Sequence, residues 1–206
     1  MNKFRNNLSL MLAALAMLLV SMLFVAGCGS NKSQQSANSY KVVDDQGVEV
    51  DFDQKPTRIV SMTLSTDDIL LGLVKPERVV CANNLVDDPI SSNIAELGKN
   101  IPNKVRHPKV EEILAMEPDL VIAPDWGDID YVDSLRNMGI KVVVMKGPKC
   151  LQDIRDNITL MSKAVGEPER GEKLISMMDS KLAEIKAKVD KIPQDQRKRV
   201  LLISLM

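Results

Sequence analysis

From Tyr40 apolar and polar positions alternate through YKVVDDQGVEVDF (40–52), interrupted at Asp45-Gln46-Gly47, which predicts a β-hairpin closed by a glycine-containing turn. After Pro56 the pattern changes. The apolar runs IVSM (59–62), RVVCA (78–82), DLVIA (119–123) and KVVVM (141–145) read as strands. Amphipathic stretches near 66–73, 109–117, 128–138 and 151–165 read as helices between and after them. Regular alternation of this kind predicts an α/β lobe with a mostly parallel sheet flanked by helices. Ile129, Val132, Leu135 and Met138 form one helical stripe, and Leu151, Ile154, Ile158, Met161 and Val165 another, both expected to face the core. Pro168 is well placed to open a long helix, whose stripe of Leu174, Met178, Leu182, Ile185 and Val189 runs to about residue 190. RVLLISLM (199–206) then reads as the first strand of a further sheet. With no turn signal, following helix or partner strand beyond it, the chain reads as cut short there.

The N-terminus carries an address. Lys3 and Arg5 precede an apolar, uncharged segment (8–27) of a length that could span a bilayer as a helix, so an uncleaved anchor is one reading. Its last residues, Val25-Ala26-Gly27-Cys28, resemble a bacterial lipobox. That match makes residues 1–27 a lipoprotein signal peptide and Cys28 the acylated first residue of the mature chain. The polar stretch GSNKSQQSANS (29–39) offers almost nothing to a core, so residues 28–39 are expected to be a flexible tether. The predicted location is the outer face of the cytoplasmic membrane, lipid-anchored.

Composition narrows the chemistry. Hydrophobic residues at 45% of 206 are enough for a packed core and exclude a disordered chain. Lys+Arg 27 against Asp+Glu 28 leaves no basic excess for binding nucleic acid by charge. The single histidine, His107, excludes a His-rich zinc site, and Cys-x-x-Cys, Gly-x-Ser-x-Gly and P-loop motifs are missing from the sequence. Once Cys28 is acylated, Cys81 and Cys150 remain, either as a disulfide or as two buried free thiols.

RIVSMTLSTDDILLGL (58–73) and PKVEEILAMEPDLVIAPDW (108–126), with LRNMGIKVVV (135–144) and the final RVLLI, resemble the substrate-binding proteins of ABC transporters for iron-siderophores, haem and cobalamin. The likeness covers about residues 40–206. It implies two α/β lobes joined by one long helix, with a metal chelate or tetrapyrrole held between them. On that reading residues 40–166 form the N-terminal lobe and 167–190 the connecting helix. Residues 191–206 then carry the first strand of an incomplete second lobe. The implied role is binding without catalysis: capture of a ferric siderophore, haem or cobalamin by a monomer, and delivery to an ABC permease and its ATPase. A single-lobe tethered interaction or scavenging lipoprotein, or a non-functional remnant, is the alternative. An enzyme is disfavoured, because Asp67/Asp68 and Asp128/Asp130 are carboxylate pairs that spacing alone does not place around a reacting bond.

Candidate site residues follow the strand ends. Ser65 or Thr66 is expected to cap the next helix and also to line the cleft, since ligands of open α/β sheets sit at the carboxyl ends of strands. Where the family usually has Thr-Glu, this chain has Asp67-Asp68. Lys104, Arg106, His107 and Lys109 predict a basic cleft edge suited to an anionic ferric chelate, and His107 is a candidate haem ligand. Val105 occupies a position that carries a ligand-facing aromatic in cobalamin-binding relatives. Asp125 and Trp126 follow DLVIA, where the family places ligand contacts, and Trp126 could stack on a flat chelate. Tyr131 is a further ligand candidate. The resemblance makes Glu111 the permease-docking carboxylate. A solvated loop at 103–109 and a solvated Glu111 near a helix start are the plainer readings of those segments.

Overall fold

The computed structural model describes residues 39–201. The predicted signal peptide, Cys28 and nearly all of the predicted tether lie outside them. Strands β1 (Tyr40–Val43) and β2 (Glu49–Phe52) form the expected antiparallel hairpin, with Tyr40 opposite Phe52 and their rings stacked at 5.0 Å. Gly47, at φ 79°, supplies the left-handed residue that the turn requires. Asp44 stabilises the same turn by accepting from the Gln46 and Val48 amides at 3.0 and 2.9 Å.

Five further strands build one parallel sheet: β3 (Ile59–Ser61), β4 (Val79–Ala82), β5 (Asn103–Lys104), β6 (Leu120–Pro124) and β7 (Val142–Met145), in the order β5-β4-β3-β6-β7. The helices are α1 (Leu64–Leu73), α2 (Ala95–Gly98), α3 (Val110–Ala115), α4 (Ile129–Asn137), α5 (Leu151–Ala164) and α6 (Pro168–Val189). Successive strand residues point to opposite faces, so a near-continuous apolar strand must be covered on both. Ile59, Val79, Leu120, Ile122, Val143 and Met145 pack on one face with Leu70 and Leu73 of α1, Met161 and Ala164 of α5 and the hairpin. Val60, Cys81, Val121, Ala123, Val142 and Val144 pack on the other with Ile113 of α3 and Val132 and Leu135 of α4. The result is a three-layer α/β/α arrangement.

Several expectations need correction. Helix α1 begins at Leu64, two residues early, because its cap is Thr63 rather than Ser65 or Thr66. Thr63 Oγ1 accepts from the Thr66 amide while Thr66 Oγ1 accepts from the Thr63 amide, each at 3.2 Å, which is a reciprocal capping box. Ile129, Met138 and Leu151 are exposed rather than buried, since they stand at helix ends where the stripe has run past the sheet. Strand β5 falls in a segment expected to be a loop. Arg199, Val200 and Leu201 form no strand, and the last two are 87% and 83% exposed; the rest of the predicted strand lies outside the described residues. Cys81 and Cys150 are both free, and only Cys81 is buried.

Helix α6 has the predicted length but not a fully covered stripe. At its start Gly171 lets the backbone approach α5: a Cβ there would lie 2.3 Å from Ser162 Oγ. Leu174 packs on the core, whereas Ile185 and Val189 are 47% and 41% exposed. Among the described residues no helix is long and apolar enough to cross a membrane.

Candidate cleft at the carboxyl end of the sheet

The chain runs outward from β3 to β4 and β5, then returns to the opposite side of β3 to form β6. The connections leaving β3 and β6 therefore diverge, α1 to one face and α4 to the other. A crevice at the carboxyl ends of the two strands is the geometric consequence. A depression of about 560 Å³ occupies that place.

Its walls come from four strand-end loops: Met62–Ser65 after β3, Asn83–Leu85 after β4, Arg106–Pro108 after β5 and Trp126–Asp128 after β6, with Tyr131 of α4. Trp126 is 69% exposed, so its indole presents a free apolar face instead of filling the core. Arg106 and His107 are exposed and make no hydrogen bond or ion pair with other described residues. Asp128 is the one acidic residue of the wall, and its carboxylate caps α4 by accepting from the Asp130 amide at 3.0 Å. Tyr131 donates to the Pro108 carbonyl at 2.8 Å, tying α4 to the β5 loop. Burial pushes its phenol up to about 12, so it remains a neutral donor.

Of the residues singled out in the sequence, Ser65, Arg106, His107, Trp126 and Tyr131 come together here. The others, Lys109 among them, do not line the depression. Thr66 is 6% exposed and committed to the capping network, with Ser61 Oγ 2.8 Å from its hydroxyl. Val105 packs against the core beneath α3 and α4. Asp125 accepts from the Gly147 amide at 2.9 Å, joining the β6 and β7 loops. Lys104 is paired with Asp87 at 2.9 Å, so Arg106 is the arginine or lysine that reaches the depression. Glu111 is exposed in the first turn of α3 and outside the depression. Sequence reasoning missed Asn83, Asn84 and Leu85, although they follow the strand VVCA and the carboxyl-end rule points to them.

One buried group stands beneath the wall. Asp67 of α1 is 1% exposed, and its Oδ2 accepts from the Asn83 amide at 2.9 Å. Its Oδ1 has no hydrogen-bond partner. Burial raises this carboxyl to about 7, with the Ser61 hydroxyl and the Asn83 amide opposing the shift and the Asp68 charge adding to it. Among the described residues no group of three or more His, Cys, Asp or Glu could hold a metal ion.

The family described as periplasmic binding protein matches residues 59–205, which include every strand of the sheet and all four loops of the depression. The chain belongs to that family. Curated relatives of this periplasmic binding protein include the ABC transporter substrate-binding lipoprotein YvrC of Bacillus subtilis, 25% identical over 198 residues and covering 91% of this chain and 62% of the relative. The Fe(3+)-citrate-binding protein YfmC of the same organism is 20% identical over 200 residues, covering 93% and 62%. This chain thus spans less than two thirds of either relative. Among solved structures, the haem-binding protein HmuT superposes with a TM-score of 0.63 at 24% identity, covering 80% of this chain and 53% of its own. A periplasmic haem-binding protein from Pseudomonas aeruginosa gives 0.58 at 20%, covering 68% and 50%. At these identities the structural likeness establishes the fold.

Proposed function

We propose that the depression is one wall of a ligand cleft and that the protein is the substrate-binding component of an ABC importer. Its ligand is an anionic metal chelate of the ferric siderophore type, or a related tetrapyrrole. The supporting observation is the pairing of an exposed indole with an unpaired guanidinium at the topological switch point: Trp126 offers a stacking surface, and Arg106 offers a planar fork to carboxylate or catecholate oxygens. Relatives named for ferric citrate and haem binding agree with that chemistry. Acylated Cys28 would hold the protein at the membrane, and Glu111 would meet the permease.

Titration with ferric citrate, haem and cyanocobalamin, followed by fluorescence of the single tryptophan, tests the reading. A saturable quench by one of them is expected. Arg106→Ala should weaken an anionic chelate about tenfold or more, the worth of one charge-assisted hydrogen bond. Glu111→Ala should leave the affinity unchanged and impair uptake. No quench by any of the three, or a quench insensitive to Arg106, overturns the reading.

A further inference from the structure

Asp67 is a buried carboxyl with a backbone partner on the cleft wall and no counter-ion. Asn83, whose amide it accepts, lines the depression, and Asn83 Oδ1 in turn accepts from the Leu85 amide at 3.1 Å. The segment Asn83–Leu85 is therefore tied to α1 at its root by this side chain, while the Val86 and Asp88 amides close the turns that follow on the Asn83 and Leu85 carbonyls at 3.0 and 3.1 Å. Around Asp67 the Asn83 amide and the Ser61 hydroxyl favour the charged form, but neither is a counter-ion and burial outweighs them. Asp68 on the same helix repels it, and the Cys81 thiol on β4 is pushed by burial up to about 11 and stays neutral. Ser61 on β3 shares its hydrogen bond with Thr66. Arg155 of α5 is engaged with Asp179 of α6, and Lys146 with Asp153 and Asp156. Arg106, His107 and Asp128 lie on the other loops of the depression and make no ion pair with Asp67.

We propose that Asp67 is a proton-operated latch on the cleft wall. Protonated, it keeps Asn83–Leu85 in the arrangement seen here. Ionised, it leaves Oδ1 as a buried, unpartnered anionic oxygen, a state relieved when water reaches it. The segment that yields is the one it holds, because Asn84 and Leu85 are already exposed. The consequence for capture rests on the ligand-cleft reading: above the transition the wall loosens and a negative charge lies beneath it, so an anionic chelate is held less tightly.

The conformational claim is tested without a ligand, by following the Asn83, Asn84 and Leu85 amide resonances from pH 5.5 to 8.5. In the wild-type chain they should shift together with a midpoint near 7, the value to which burial raises Asp67. Asp67→Asn and Asp67→Thr should abolish the transition, and Asp68→Asn should retain it. Flat wild-type resonances, or a transition that survives in either Asp67 variant, overturn the proposal. Ferric citrate titrations at pH 6 and 8 separate the two readings: failure to bind at either pH counts against ferric citrate as the cleft's ligand and leaves the amide result to decide the latch.

Discussion

Replacing Asp44 by alanine removes one carboxylate from four donors at once. Its side chain is 0% exposed and accepts from Arg136 Nη2 at 2.7 Å, from the Gln46 and Val48 amides at 3.0 and 2.9 Å, and from the Val144 amide at 3.2 Å. Two of these bonds shape the hairpin turn, and the others fasten it to α4 and β7. Alanine would leave three amides without an acceptor and deprive Arg136, only 20% exposed, of its closest charge partner, leaving it Asp133 at 3.7 Å. Breaking a buried pair in this way costs about 3–5 kcal/mol, so a loss of about 4 kcal/mol is expected, a large part of the roughly 5–15 kcal/mol of a typical domain. Asp44→Asn keeps one acceptor oxygen and should lose about half as much. Urea denaturation reads both: with a slope of about 2 kcal/mol per molar, the midpoint should fall by roughly 2 M for alanine and 1 M for asparagine. Adding Arg136→Met to Asp44→Ala should recover part of the loss by removing a largely buried guanidinium that has lost its closest acceptor. A midpoint shift under about 0.5 M for alanine, or an asparagine variant equal to wild type, would refute this account.

Asp67 also gives the stability a pH dependence. Its folded-state value lies near 7 against 3.8 for the free carboxyl, so its contribution is fully present below about 3.8 and is lost as pH rises through 7. At about 1.36 kcal/mol per pH unit the wild type should lose roughly 4 kcal/mol relative to Asp67→Asn over that interval, and parallel melting profiles would sink the idea. Gly171→Ala puts a methyl 2.3 Å from Ser162 Oγ and should destabilise the packing of α5 on α6 by about 1–3 kcal/mol; an unchanged melting temperature would show that Ser162 can move aside. With an aromatic disulfide reagent under native conditions, exposed Cys150 should react and Cys81, buried with its thiol raised to about 11, should react only on unfolding. Equal labelling of the two would contradict that burial.

The strands were legible because each buried one is an apolar run between turn residues, and the hairpin because its two halves alternate about Asp-Gln-Gly. Strand β5 was not: Asn103 and Lys104 are polar, and their place at the sheet edge depends on pairing with Cys81 and Ala82 and on Asn103 donating to the Val80 carbonyl at 2.8 Å. The cap of α1 was ambiguous among three hydroxyls within four residues, and only backbone geometry selects Thr63. In the site, Trp126 could be read because it follows the DLVIA strand, and Arg106 because it belongs to the basic run from Lys104 to Lys109. Val105 and Arg106 were both named, but adjacent positions face opposite ways, so one enters the core and the other the depression. The long-range partnerships were invisible: nothing in the sequence joins Asp44 to Arg136, 92 residues away.

The two rims of the parallel sheet are finished differently. A rim strand carries a row of unpaired amides and carbonyls onto which a strand of another molecule can add. On one rim β5 has only two residues, too few to template such addition. On the other, β7 is longer, but the segment after β1 runs against it: the Asp45 amide donates to the Val144 carbonyl at 3.1 Å, Asp44 accepts from the Val144 amide, and Asp45 accepts from the Lys146 amide at 2.8 Å. Two aspartates thus stand in for a neighbouring strand and bring negative charge to the rim. The chain's guard against self-association into extended sheets is therefore built into the same turn that fastens its hairpin.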